Sequence, residues 1–246
     1  MVLKKNIVVS LDKSVADFWK NLQKKYTAIG KFSVAAPLSS TPLSTYAWIV
    51  ENFHEFENWE KLQFVLMDEM LEGDYPHFQY VSTDDSASYE GFARRNFLTP
   101  LGEKTGITIP VIKPKIEDLN DFHVGIDLLI LALGVKGNYA NVMPGTPLSI
   151  GWHIAHLIPE FRQAHTVKGS NSYEGATFRE YGMSLGPQQV LNAKYVIVII
   201  SGKKKRGLSK QLLSYNAFDP EFPLSIIYHP SVKDRVQMFL TEDVLG

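Results

Sequence analysis

Five short runs of aliphatic and β-branched residues, none of them alternating apolar with polar, set the strongest limit on what this chain can fold into. KFSVAAP (31–37), KLQFVLM (61–67), DLLILALG (127–134), YVIVIIS (195–201) and LSIIYH (224–229) are apolar almost without interruption. Strands of that kind need cover on both faces, which parallel sheets obtain from crossover helices. The intervening segments SVADFWKNLQKKY (14–26), PLSTYAWIVENFHEF (42–56), SASYEGFARRNFLTPL (86–101) and LSKQLLSYN (208–216) repeat apolar residues every three or four positions, the spacing of amphipathic helices. A last helix is expected over 229–245, with Pro230 and Ser231 at its start. The pattern predicts an α/β protein with a mostly parallel sheet, and at 246 residues one domain over 1–246 is the expectation. Residues 102–122, with two prolines and little periodicity, read as a surface crossing, and 166–182 as the most loop-like stretch.

Charge narrows the partner. With 25 basic and 26 acidic side chains the net charge is −1, so no long-range field draws the chain to nucleic acid or to an anionic membrane. A small-molecule partner is expected. Cysteine is absent, which removes disulfides and thiolate metal sites; with no charged-then-apolar leader after Met1, a cytoplasmic protein is expected. The apolar runs fall far short of the roughly 20 residues of a spanning helix. His153 and His156 have no third ligand in view, so no metal is expected, and no cofactor motif of the Walker, dinucleotide or G-x-S-x-G kind occurs.

In open α/β sheets ligands bind beyond the carboxyl ends of the strands, so chemistry belongs in the loops there. APLSSTPLSTY (36–46) puts Ser39, Ser40 and Thr41 before a helix, which suits a phosphate. From this loop alone plain N-capping, which uses the same residue types, is the better-supported reading. MDEM (67–70) places Asp68 and Glu69 at a strand end, where partial burial would tune a base; capping of a following turn is the structural alternative. SGKKKRGLSK (201–210) carries four consecutive cations, one of which, turned inward, would bind an anion. GVKGNYANVMPG (134–145) has the glycines and the Pro-Gly end of a shaped cradle, yet it holds no carboxylate and no histidine.

Taken together and in order, these segments resemble the family of glucosamine-6-phosphate deaminases (isomerases) and 6-phosphogluconolactonases. APLSSTPLSTY stands at the family's Gly-Gly-Thr-Pro phosphate loop, LQFVLMDEM at its strand ending in Asp-Glu, and SASYEGFARRNFLTPL at its Ser-Tyr…Asn-Phe helix. DLLILALGVKGNYANVMPG resembles the strand followed by Gly-x-Asp-Gly-His, with the Pro-Gly ending of the lactonase form. MSLGPQQVLNAKYVIVIISGKKKRGL is similar to the closing strand and phosphate-binding lysine. The resemblance implies a single doubly wound, Rossmann-like sheet with helices on both faces, binding a sugar phosphate, and it leaves a homo-oligomer open. It further implies Asp68 as the base moving a proton between C1 and C2, Lys205 as the phosphate lysine, and Ser39, Ser40 and Thr41 as the phosphate loop. At the Asp-Gly-His this chain has Lys136, Gly137 and Asn138, and Met143 replaces the deaminase glutamate. An amide exchanges no proton near neutral pH, so Asn138 would orient a substrate rather than serve as its base.

Three functions follow as expectations. An isomerase or deaminase acting on glucosamine- or galactosamine-6-phosphate, or on a related hexose phosphate in carbohydrate metabolism, would use Asp68, Glu69 and Asn138 in its site, with His153 or Glu174 assisting ring opening. A noncatalytic sugar-phosphate binder would keep the pocket without turnover. A lactonase would need a base for water where Asn138 stands. The resemblance leaves open which arginine helps hold the phosphate, since the matching region around Arg179 aligns loosely.

Overall fold

A computed structural model describes residues 3–166 and 173–245. In chain order its elements are β1 (Lys4–Val8), α1 (Leu11–Thr27), β2 (Phe32–Ala35), α2 (Leu43–Glu51), β3 (Leu62–Val65), β4 (Asp68–Glu72), β5 (Gln79–Tyr80), α3 (Tyr89–Ala93) and α4 (Thr99–Thr105). There follow β6 (Val111–Ile112), β7 (Leu128–Ala132), β8 (His153–His156), α5 (Pro159–Thr166), β9 (Tyr181–Ser184), α6 (Pro187–Asn192), β10 (Tyr195–Ile200), α7 (Arg206–Ser214) and β11 (Val236–Thr241). Seven strands form a parallel sheet in the order β1-β11-β10-β7-β2-β3-β6. This is the Rossmann-like α/β architecture expected above.

The continuous apolar runs became the buried middle of that sheet. Leu128, Leu129, Val196, Ile197, Val198, Ile199 and Ile200 are wholly buried, and the two faces of the sheet lie in separate clusters of core side chains. At the amino ends of the strands the Asp127 carboxylate ties three of them together: it accepts from Ser33 N of β2 at 2.8 Å and pairs with Lys194, just before β10, at 2.6 Å. The chain turns outward in opposite directions from β2 and β7, so a crevice opens where their carboxyl ends part.

The carboxyl-terminal segment departs from expectation. Residues 224–229 are not a strand: 224–228 lie in a 3₁₀ turn, Pro223–Tyr228, and the last strand of the sheet is Val236–Thr241, inside the segment expected as a helix. VQMFLT has apolar residues at spacings that either periodicity accommodates; hydrogen bonding on both sides, to β1 and β10, decides for the strand. β1, to which the sequence assigned nothing, is the exposed edge.

A second, antiparallel sheet, β5-β4-β9-β8, adds to the parallel one. The chain leaves β3 and enters β4 within three residues, so Asp68 stands at the seam between the sheets. His153 and His156 lie on β8 three residues apart, an odd spacing that turns them to opposite faces. Among the described residues no helix is long and apolar enough to cross a membrane.

Candidate functional site

The carboxyl ends of β2, β3, β7 and β10 enclose a cleft of about 770 Å³, to which α5 contributes Phe161, Ala164 and His165. Ser39, Ser40 and Thr41 line it after β2, and Asp68 after β3. Gly134 and Asn138 follow β7, and Lys205 follows β10. The structure thus gathers into one cavity four strand ends that are far apart in the chain.

The hydroxyl loop is not a cap. The residue preceding α2 is Pro42, which makes no side-chain cap bond, and the hydroxyls of Ser39, Ser40 and Thr41 hydrogen-bond to no other described residue. The entry to the loop is clamped instead by two phenols, Tyr46 donating to Pro37 O at 2.7 Å and Tyr173 to Leu38 O at 2.6 Å. Free hydroxyls on a fixed backbone beside a helix start are arranged for an anion.

Of the four consecutive cations, the ones after Lys204 have assigned partners. Lys205 runs inward and donates to Leu133 O at the end of the β7 run, and burial lowers its ammonium pKa to about 8. Arg206 turns away to Asp243 O. Lys203 and Lys204 are exposed at the rim of the cleft.

Asp68 and Glu69 separate. Successive strand residues face opposite sides, so only one of the pair can look into the cleft. Asp68 does, with Oδ1 buried and without a hydrogen-bond partner; burial first, and the neighbouring Glu69 second, push its carboxyl well above the ordinary carboxylate range. Glu69, expected among the catalytic groups, lines no part of the cleft. Its oxygens accept from Met70 N (2.7 Å), Tyr89 N (2.8 Å), Glu90 N (2.8 Å) and Ser88 Oγ (2.9 Å), which makes it the acceptor for the start of α3. A carboxylate with every lone pair engaged is a brace for the backbone.

The loop after β7 keeps a shape. Gly137 has φ +71°, and a Cβ there would come within 2.6 Å of the Phe222 ring, so both dihedral and space demand glycine. Asn138 is buried and turned into the loop itself: Oδ1 accepts from Lys136 N at 3.2 Å and Nδ2 donates to Ala140 O at 3.1 Å. Lys136 points to solvent and does not line the cleft. Met143 is buried in the core.

No protein-family model matches the chain. A glucosamine-6-phosphate deaminase of Clostridium perfringens strain 13 is 26% identical over 180 residues, which span 71% of this chain and 72% of the relative. The solved structure of a monomeric glucosamine-6-phosphate deaminase superposes with a TM-score of 0.78 at 20% identity, over 99% of this chain and 98% of the other. The 6-phosphogluconolactonase from Trypanosoma brucei superposes with a TM-score of 0.66 at 15% identity, over 98% and 97%. The chain is thus similar in sequence to glucosamine-6-phosphate deaminases and shares its fold with them and with 6-phosphogluconolactonases.

Arg179, in the loosely aligned region, pairs with Asp85 at 2.6 Å and donates to Thr177 O, away from the cleft. His153, half-buried with Nδ1 3.0 Å from Gly151 O, and the exposed Glu174 do not line the cleft either. Sequence reasoning passed over Tyr89, Tyr139 and His165, all of which line it. Tyr89 lay inside a quoted helix motif, and Tyr139 beside Asn138, so adjacency to motif residues was a signal. For His165 nothing local gave one: α5 reaches the cleft only because the chain folds back from the second sheet.

Proposed function

We propose that this protein binds a sugar phosphate and acts on it as an isomerase or deaminase, with glucosamine-6-phosphate or galactosamine-6-phosphate as the candidate substrates. The observation that carries this reading is that an unpartnered carboxylate, a hydroxyl loop with free side chains and an inward-turned lysine line a single cleft. The phosphate rests on Ser39, Ser40, Thr41 and the Lys205 ammonium, a charge-assisted contact. The attached carbon chain then extends toward Asp68, which, once ionised, takes a proton from one of C1 and C2 and returns it to the other. Burial, and then the neighbouring Glu69, hold the Asp68 carboxyl well above the ordinary carboxylate range, so the base becomes competent as pH rises.

One observation favours a second reading, the noncatalytic binder. Asn138 cannot move a proton, and its amide is already engaged within the loop. The lactonase reading needs a base for water at the same position and ranks below both. Thermal shift with a panel of hexose and hexosamine phosphates, followed by a turnover assay on each stabilising ligand, separates them. Stabilisation with turnover supports the isomerase or deaminase, stabilisation alone supports the binder, and no shift with any phosphate removes both.

A further inference from the structure

His165 is a half-buried imidazole on the last turn of α5, and it lines the cleft together with Lys205. Its Nδ1 lies 2.8 Å from Phe161 O. A carbonyl only accepts, so Nδ1 carries the hydrogen and Nε2 keeps the lone pair, with no partner among the described residues. The ring is held between Phe161, centroid 4.3 Å away, and Phe178, stacked at 5.6 Å. A side chain so fixed presents one free atom.

Its charged surroundings identify which end of the cleft that atom serves. Among the described residues, Lys205 is the charged group that acts on it electrostatically. Lys203 and Lys204 of the same turn stand exposed at the rim, Arg162 one turn earlier does not line the cleft, and Asp68 lies on β4 at the seam of the sheets. His165 therefore shares its end of the cleft with the Lys205 ammonium.

A charge count makes the end incomplete as it stands. A phosphate monoester carries about −1.5 to −2 near neutral pH. Inside the cleft Lys205 supplies one positive charge, the hydroxyls supply none and Arg179 is bound to Asp85, while Lys203 and Lys204 at the rim remain exposed to solvent. We propose, resting on the sugar-phosphate reading above, that His165 is a phosphate-binding residue: as the anion seats beside Lys205, Nε2 takes a proton from solvent and donates it in a hydrogen bond to a phosphate oxygen. Ligand and proton then bind together. The neutral state before binding agrees with this, since burial and the Lys205 ammonium both hold the free imidazole below the ordinary histidine value. The sign follows: affinity weakens as pH rises, because the proton that must accompany the ligand becomes scarcer.

The test is calorimetry at pH 7 with glucosamine-6-phosphate and with inorganic phosphate, in buffers of differing ionisation enthalpy, on the wild type, His165→Gln and Lys205→Gln. The wild type takes up more protons than His165→Gln by a large fraction of one, a difference in which the ligand's own titration cancels. His165→Gln binds roughly tenfold more weakly or worse, as for loss of a hydrogen bond to a charged group. Nitrogen chemical shifts of the wild-type imidazole, titrated with and without inorganic phosphate, must show its pKa rising on binding, whether or not the variant folds. Equal proton uptake and equal Kd in His165→Gln, with Lys205→Gln impaired, overturn the role of His165 alone. A fall in kcat with KM and Kd unchanged overturns it too, by placing the imidazole at the reacting carbons. Failure of the wild type to bind either anion overturns this inference and the sugar-phosphate reading together.

Discussion

Two strand-end loops face each other across the cleft and have used their side chains in opposite ways. The loop after β2 leaves the hydroxyls of Ser39, Ser40 and Thr41 without protein partners, while phenols from elsewhere hold its backbone. The loop after β7 turns its polar side chain inward, Asn138 bonding Lys136 N and Ala140 O, and its glycine admits Phe222. One loop offers groups to a ligand and the other offers a wall. The comparison teaches that a loop can keep a fixed shape while offering no proton-transfer group, because backbone geometry and side-chain chemistry are held by different residues.

The sharpest attempt to break that contrast is at the one carboxylate in the cleft. Asp68→Asn should lower kcat by about 10²–10⁴-fold, the usual contribution of a general base, with ligand affinity retained. Full activity in that variant would leave the isomerase reading without a base. Next in size, Gly137→Ala should destabilise the protein by about 2–4 kcal/mol in denaturant unfolding, since it combines a left-handed backbone strain with a clash against Phe222; an unchanged midpoint would mean that the wall is soft. Lys205→Gln should weaken binding of glucosamine-6-phosphate about 10- to 100-fold, by loss of a charged hydrogen bond. Titration calorimetry reads it, and an unaltered Kd would put the anion elsewhere.

A pH profile sharpens the contrast further. kcat/KM should climb with pH beyond the ordinary carboxylate range as Asp68 ionises, and decline as the proton accompanying His165 becomes scarce and as Lys205 loses its own near pH 8. Lys205→Arg should move the last of these out of the alkaline range. The smallest effect is on stability. Asp68 has a raised folded pKa, so its favourable contribution is present below the unfolded value and is lost as pH rises through the folded one. Asp68→Asn should therefore melt higher than the wild type at pH 8, by roughly 2–4 °C if the relief is about 1 kcal/mol; a lower melting temperature would show that the carboxylate is stabilised by something not seen here.

Much of this was legible in the chain. Continuous apolar runs announced a sheet covered on both faces, the rule that ligands bind at carboxyl ends pointed to the serine loop, the Asp68–Glu69 pair and the basic run, and the family resemblance singled out Asp68 and Lys205. The alternation of strand side chains was also available, and it would have told Asp68 from Glu69 once the strand was known to continue through both. What misled was the carboxyl terminus, where VQMFLT satisfies two periodicities and only pairing with β1 and β10 selects one.

By itself, then, the sequence determined residue types, local periodicity and the order of the motifs, because these act over a few neighbouring positions. Tertiary structure alone decided that Glu69 would brace α3, that Asn138 would fold onto its own loop, and that His165 would arrive beside Lys205 from 40 residues away in the chain. Those outcomes depend on which surfaces bury one another and which polar atoms are left to pair. No local pattern carries that information, since burial is a property of the whole packed chain.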